Sequence, residues 1–138
     1  HDREIAGWSM SNRQTSDIVV NALVMALARR RPDGDVIHHA DRGSQYTSGD
    51  LALTMTDHHV SASFGATGVC WDNATMESTW ATIKREIRHI HGDWETMTRS
   101  QLRTVLFDYI ETFYNRSRHQ ARLGHHTPAE AYAASQAA

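Results

Sequence analysis

Apolar residues along this chain fall into short blocks, and the period within each block switches between two and a helical repeat. Over residues 4–10 an alternation places Ala6, Trp8 and Met10 on one side, which predicts a short strand. Thr15 or Ser16 then offers a helix cap. Ile18, Ala22 and Ala26 run beside Val19, Leu23 and Leu27 as one apolar stripe. Pro32 and Gly34 end that helix near residues 29–31. A β-prone run at 36–39 predicts the next strand. Thr47-Ser48-Gly49-Asp50 has capping-box-like spacing before Leu51 and predicts a short helix. Residues 60–64 predict another strand, and 65–68 a loop. After Asn73, Met76, Trp80, Ile83, Ile87 and Ile90 recur at intervals of four, three, four and three until Gly92. Met76, Trp80, Ile83 and Ile87 are expected to face a core. Leu102, Val105, Leu106, Tyr109, Ile110 and Phe113 predict one more helix, and Thr127-Pro128 opens the last. The aromatics Trp80, Phe107, Tyr109 and Phe113, at helical spacing, are expected in a core rather than as base-stacking platforms.

Alternation of strand, helix and strand implies an α/β domain with some parallel pairing, although the visible strands are too few for a complete sheet. With 138 residues the chain suits one domain, and 40% apolar with 22% charged residues excludes a disordered or fibrous class. No apolar run is long enough for a membrane span, and the polar start is no secretory signal. The chain begins with His rather than Met, so it is expected to be a piece of something longer. A lone cysteine, Cys70, allows no internal disulfide and suits a reducing, cytoplasmic location.

A net charge of −2 hides an asymmetry. Residues 1–78 are net acidic, whereas residues 79–124 are net basic. The first half suits cations and the second polyanions, if the charges are more than solvated surface. On the helix after Asn73, Glu77, Ala81, Lys84 and Arg88 share a face distinct from the apolar one. That puts a carboxylate in line with two cations. Asp41 follows the 36–39 strand directly, at the strand end where α/β sheets place their ligands. Arg116, Arg118 and Arg122 are either phosphate contacts or a solvated loop. Ten histidines raise a zinc reading, but adjacent His pairs on a strand point to opposite faces and no Cys-x-x-Cys exists.

Thirty-five residues separate Asp41 from Glu77. In context the pair resembles the catalytic core of bacterial insertion-sequence transposases of the DDE class, within the retroviral-integrase superfamily. The resemblance rests on residues 38–48 (His-His-Ala-Asp-Arg-Gly-Ser-Gln-Tyr-Thr-Ser), 71–77 (Trp-Asp-Asn-Ala-Thr-Met-Glu) and Lys84-Arg85-Glu86. Tyr114-Asn115, Arg118, Leu123-Gly124 and Thr127-Pro128-Ala129-Glu130 also fit, as does the stretch from Arg3 to Trp8 as a strand. It spans essentially the whole chain, with residues 115–138 as a C-terminal extension. Two departures stand out: Gln120 where the family commonly has His, with His119 one place earlier, and Ala40 where it often has Ser.

The resemblance implies a ribonuclease H-like fold, a mixed sheet flanked by helices, here without its first strands. It implies metal-dependent DNA cleavage and strand transfer by direct transesterification, through two Mg²⁺ or Mn²⁺ ions. Asp41 and Glu77 match two members of the catalytic, metal-binding triad, and Lys84 the basic position contacting the DNA end. Arg88 and Arg118 are further DNA-binding candidates. Nothing here aligns with the first catalytic Asp, so the chain alone is expected to be inactive. DNA and further copies of the chain are the implied partners, with no membrane. Asn73 is expected to cap or shape the start of the Glu77 helix. The alternative is a non-catalytic remnant of a mobile element that at most binds DNA or a partner.

Overall fold

Two strands running in the same direction cannot be joined by a tight turn, and the chain solves this with a helical crossover. In the computed structural model, which describes residues 1–65 and 74–137, β1 (Val36–Ala40) pairs in parallel with β2 (Val60–Phe64). The register runs from Val36 opposite Val60 to Ala40 opposite Phe64. Between them lies α2 (Gly49–Asp57), and before them α1 (Ser16–Arg30). Then come α3 (Ala74–His91), α4 (Arg99–Asp108), a π-helical turn (Tyr109–Tyr114) and α5 (Pro128–Gln136). The chain divides into two compact units, Ala6–Trp80 and His1–Ile5 with Ala81–Ala138. Asn73, Cys70 and the loop beyond Gly65 lie outside the described residues. Among those described, no helix is long and apolar enough to cross a membrane.

In the Ala6–Trp80 unit, Leu23, Leu51, Met55 and Val60 form the core, with Val19, Val20, Leu27, Val36 and Tyr46 packed against it. Local signals set the helix ends. Ser48 accepts from the Leu51 N–H at the start of α2. Arg31, at φ 42°, closes α1 by donating its N–H to the Leu27 carbonyl.

Residues 4–10 do not form the expected strand. Alternation supplies a sided surface, but a strand needs a ladder partner, and among the described residues β1 pairs only with β2. Instead this segment presses Gly7 onto α1. A Cβ there would meet the Ala22 carbonyl oxygen and lie 2.7 Å from the Ala26 nitrogen.

In the other unit, Ile83 and Ile87 are 3% and 2% exposed. Leu106, Tyr109, Ile110 and Tyr114 are buried as well. Asn115, 2% exposed, does what a neighbouring strand would do for Ile5. Its Oδ1 accepts from the Ile5 N–H at 3.0 Å and its Nδ2 donates to the Ile5 carbonyl at 3.1 Å. Its own carbonyl accepts from Ala129 at the start of α5. There Thr127 and Glu130 form a reciprocal capping box.

The apolar stripe of α3 is core-facing only in part. Met76 is 54% exposed and Trp80 45%, against the expectation that both face inward. Spacing shows which residues share a face, not how far the surface opposite extends. Phe107 and Phe113 are exposed too. The predicted 102–113 helix changes type after Asp108, and the wider π turn buries Tyr114 in place of Phe113.

Gly7→Ala is expected to destabilise the chain by about 1–3 kcal/mol, because its methyl would meet backbone atoms that cannot rotate away. Urea unfolding measures this, and a loss below a few tenths would show that the segment lifts off α1 freely.

Candidate active site

Asp41 is the first residue after β1. The Gly65 N–H donates to the Ala40 carbonyl at 3.1 Å, so the ladder holds the backbone right up to Asp41. Its Oδ1 accepts from the Gly43 N–H at 2.9 Å. This is an Asx turn, the local device by which a short carboxylate starts a reversal. The Gly43 carbonyl in turn accepts from the N–H groups of Tyr46 and Thr47. A Cβ on Gly43 would lie 2.9 Å from the Asp41 Oδ1, so a larger residue would force that carboxylate to move. Tyr46 anchors the turn to the core, with its ring 6.1 Å from that of His38. Burial pushes its hydroxyl pKa above the ordinary value, and the Asp41 charge adds to this. The carboxylate itself is exposed.

Glu77 sits in the first turn of α3 and is exposed, in the same unit as Asp41. Two turns further along α3 comes Lys84, and one more turn brings Arg88. Both are exposed, and both lie against the Trp94 ring: Lys84 Nζ is 5.8 Å and Arg88 Cζ 5.9 Å from its centroid. Arg88 also pairs with Asp93 at 3.3 Å and Glu95 at 3.5 Å.

Arg118 is engaged otherwise. Its Nε and Nη2 donate to the Glu86 carboxylate as a fork, the shortest contact being 2.7 Å. The Tyr109 hydroxyl donates to Glu86 Oε2 at 2.6 Å. Arg118 also lies 5.7 Å from the Tyr114 ring centroid. Burial pushes the Glu86 carboxyl upward, but the hydrogen bonds from Arg118 and Tyr109 and the Arg118 charge outweigh it, leaving it below the ordinary value. Burial first, and then the bond to Glu86, push the Tyr109 hydroxyl far up.

The arrangement thus joins Lys84 to Arg88 through Trp94, and Arg118 to Glu86. Sequence reasoning gave Glu86 no role, although an acid flanked by Ile83, Ile87 and Ile90 was a signal that a cation must come to it. Trp94 had no signal beyond its identity. Asp41 and Glu77 offer hard oxygen ligands, the chemistry suited to Mg²⁺ or Mn²⁺. Among the described residues, no group of three or more His, Cys, Asp or Glu side chains is placed to hold a metal ion.

A family model described as integrase core domain matches residues 1–70, and a second so described matches 58–128. The insertion element IS600 uncharacterized 31 kDa protein of Shigella sonnei is 40% identical over 127 residues, 91% of this chain and 45% of that protein. Transposase InsF for insertion sequence IS3A of Escherichia coli (strain K12) is 41% identical over 126 residues, 91% of this chain and 43% of that one. The chain therefore spans less than half the length of these curated relatives. Among solved structures, the catalytic core domain of BIV integrase superimposes with a TM-score of 0.64 at 18% identity, covering 91% of this chain and 76% of its own. A chain of the simian T-cell lymphotropic virus intasome in complex with PP2A regulatory subunit B56 gamma gives 0.69 at 15%, covering 88% and 41%. The fold is that of integrase catalytic cores, ribonuclease H-like.

Glu86→Gln and Arg118→Ala are each expected to cost about 1 kcal/mol, a modest figure because 24% of each side chain still meets water. The folded Glu86 pKa is depressed, so its contribution is present above the unfolded value and lost as pH falls through the folded one. Urea unfolding at successive pH should show the gap between the unsubstituted chain and Glu86→Gln narrowing below about pH 4.5. A gap independent of pH would mean the ion pair adds nothing.

Proposed function

The chain belongs to the integrase core domain family, and on that premise we propose that it supplies part of a catalytic core for DNA transposition, cutting donor DNA and joining its 3′ ends to a target by direct transesterification. The observation that carries this reading is Asp41: an exposed carboxylate at the C-terminal end of a parallel strand, aimed by a glycine that leaves it room. Glu77, exposed in the first turn of α3, is its counterpart within the same unit.

Asp41 and Glu77 would hold Mg²⁺ or Mn²⁺, since both are hard carboxylates. When bound, such ions activate the attacking oxygen and stabilise the leaving one. Lys84 and Arg88 hold phosphates of the DNA end on the cationic stretch of α3. Arg118, a DNA-binding candidate by sequence, meets DNA in this reading only through the loop that its bond to Glu86 fixes. The working protein would act as a multimer on two DNA ends.

The rival reading, a non-catalytic remnant that binds DNA, needs Lys84 and Arg88 but not the carboxylates. Metal binding separates the two. Under Mn²⁺ titration, amide signals of residues 40–43 and 74–78 are expected to broaden first. Asp41→Asn should abolish this, and Gly43→Ala should weaken it about tenfold by displacing an otherwise intact carboxylate. Joining of DNA ends is expected only from a version extended upstream, and it should be lost there with Glu77→Gln. Broadening spread evenly over the acidic residues, with no joining by the extended form, would leave the remnant reading standing.

A further inference from the structure

We propose that Trp94 is a positioning residue that localises the Lys84 ammonium for phosphate without neutralising it; this rests on the DNA-binding reading above. Lys84 and Arg88 are four residues apart on α3, where like charges repel. Gly92, at φ 84°, ends the helix and turns the chain back. Asp93 then accepts from the Glu95 N–H and starts the 3₁₀ turn Trp94–Thr96. The result is a ring with two cations within 6 Å of its centroid, inside the range of cation–π attraction.

The two cations are treated differently. Arg88 also meets the carboxylates of Asp93 and Glu95, which offset part of its charge. For Lys84, the ring is the partner that the described residues supply. A carboxylate in that place would hold the ammonium equally well and cancel the field that a phosphate needs. An indole face holds it and leaves the full charge.

The identity of the residue points the same way. The Trp94 Nε1 is buried without a hydrogen-bond partner among the described residues. An orphaned donor costs stability. Leu or Phe would fill the space without that cost, so packing alone does not explain an indole. Its ring face does, because Trp is the strongest cation–π platform among the side chains.

Lys84 is the sole lysine in the sequence. Reductive ¹³C-methylation of the chain, which keeps the charge, therefore gives one lysine signal, assigned by its absence in Lys84→Arg. That signal is expected to be shifted upfield by the indole ring current, less so in Trp94→Phe and not at all in Trp94→Leu. Affinity for a short DNA duplex, read by fluorescence anisotropy at low salt, should fall about two- to fivefold in Trp94→Leu. It should stay within about twofold of the original in Trp94→Phe. In a Lys84→Gln background, Trp94→Leu should cost little more. A methyl signal unaffected by Trp94→Leu overturns the proposal, as does an undiminished effect on DNA in the Lys84→Gln background. If Lys84→Gln alone binds DNA as tightly as the unsubstituted chain, the DNA reading falls, and the methyl signal still decides where Lys84 is held.

Discussion

The geometry around Asp41 follows from the parallel pairing of β1 and β2. Parallel strands oblige the chain to leave β1, cross over and return, so the residue after β1 must begin a change of direction. An Asp there is useful twice. Its carboxylate takes the Gly43 N–H and starts the turn, and it stays at the strand end where ligands of α/β sheets collect. The residues after it complete the manoeuvre: Gly43 gives room, Tyr46 anchors the turn in the core, and Ser48 caps α2. The block from Asp41 to Ser48 is thus one mechanical unit that delivers a carboxylate.

The cations show a comparable division of labour. Arg118 is spent on Glu86, in a fork that also takes the Tyr109 hydroxyl and ties α3 to the π turn and the loop beyond it. Arg88 is shared between two exposed carboxylates and an aromatic face. Lys84 lies against that face alone among the described residues. Availability to a polyanion therefore rises from Arg118 through Arg88 to Lys84. Counting basic residues along the chain cannot reveal that order, because it depends on which acids the fold brings near.

What the sequence disclosed divides along the same line. Elements fixed by neighbours in the chain were legible: the β2 limits, the Thr127 cap and the Gly92 stop; the Thr47–Asp50 block did signal the start of α2, although Ser48 caps it alone, without a box. Elements that need a distant partner were not. Residues 4–10 have the alternation of a strand but, among the described residues, no ladder beside them. Met76 and Trp80 continue an apolar stripe beyond the surface that buries it. The π turn, which buries Tyr114 and exposes Phe113, has no periodicity signal of its own. For the site, Asp41, Glu77 and Lys84 stood out through motif context. The partners of Arg118 and Lys84 did not, because Glu86 lies 32 positions from Arg118 and Trp94 reaches Lys84 only after the chain reverses.

The motif blocks themselves divide into residues the fold uses and residues it leaves exposed. Several of their residues have a structural task. Gly43 spaces a carboxylate, Ser48 caps a helix, and Glu86 and Arg118 pair with each other. Asn115 substitutes its side-chain amide for a missing strand neighbour, and Thr127 with Glu130 closes a capping box. Among the described residues Glu77 has no such task, and Lys84 meets only the Trp94 ring. Both are exposed and charged, and among the described residues neither makes a hydrogen bond or ion pair. Glu77 and Lys84 are therefore charges that the fold leaves open to solvent, two turns apart along one helix.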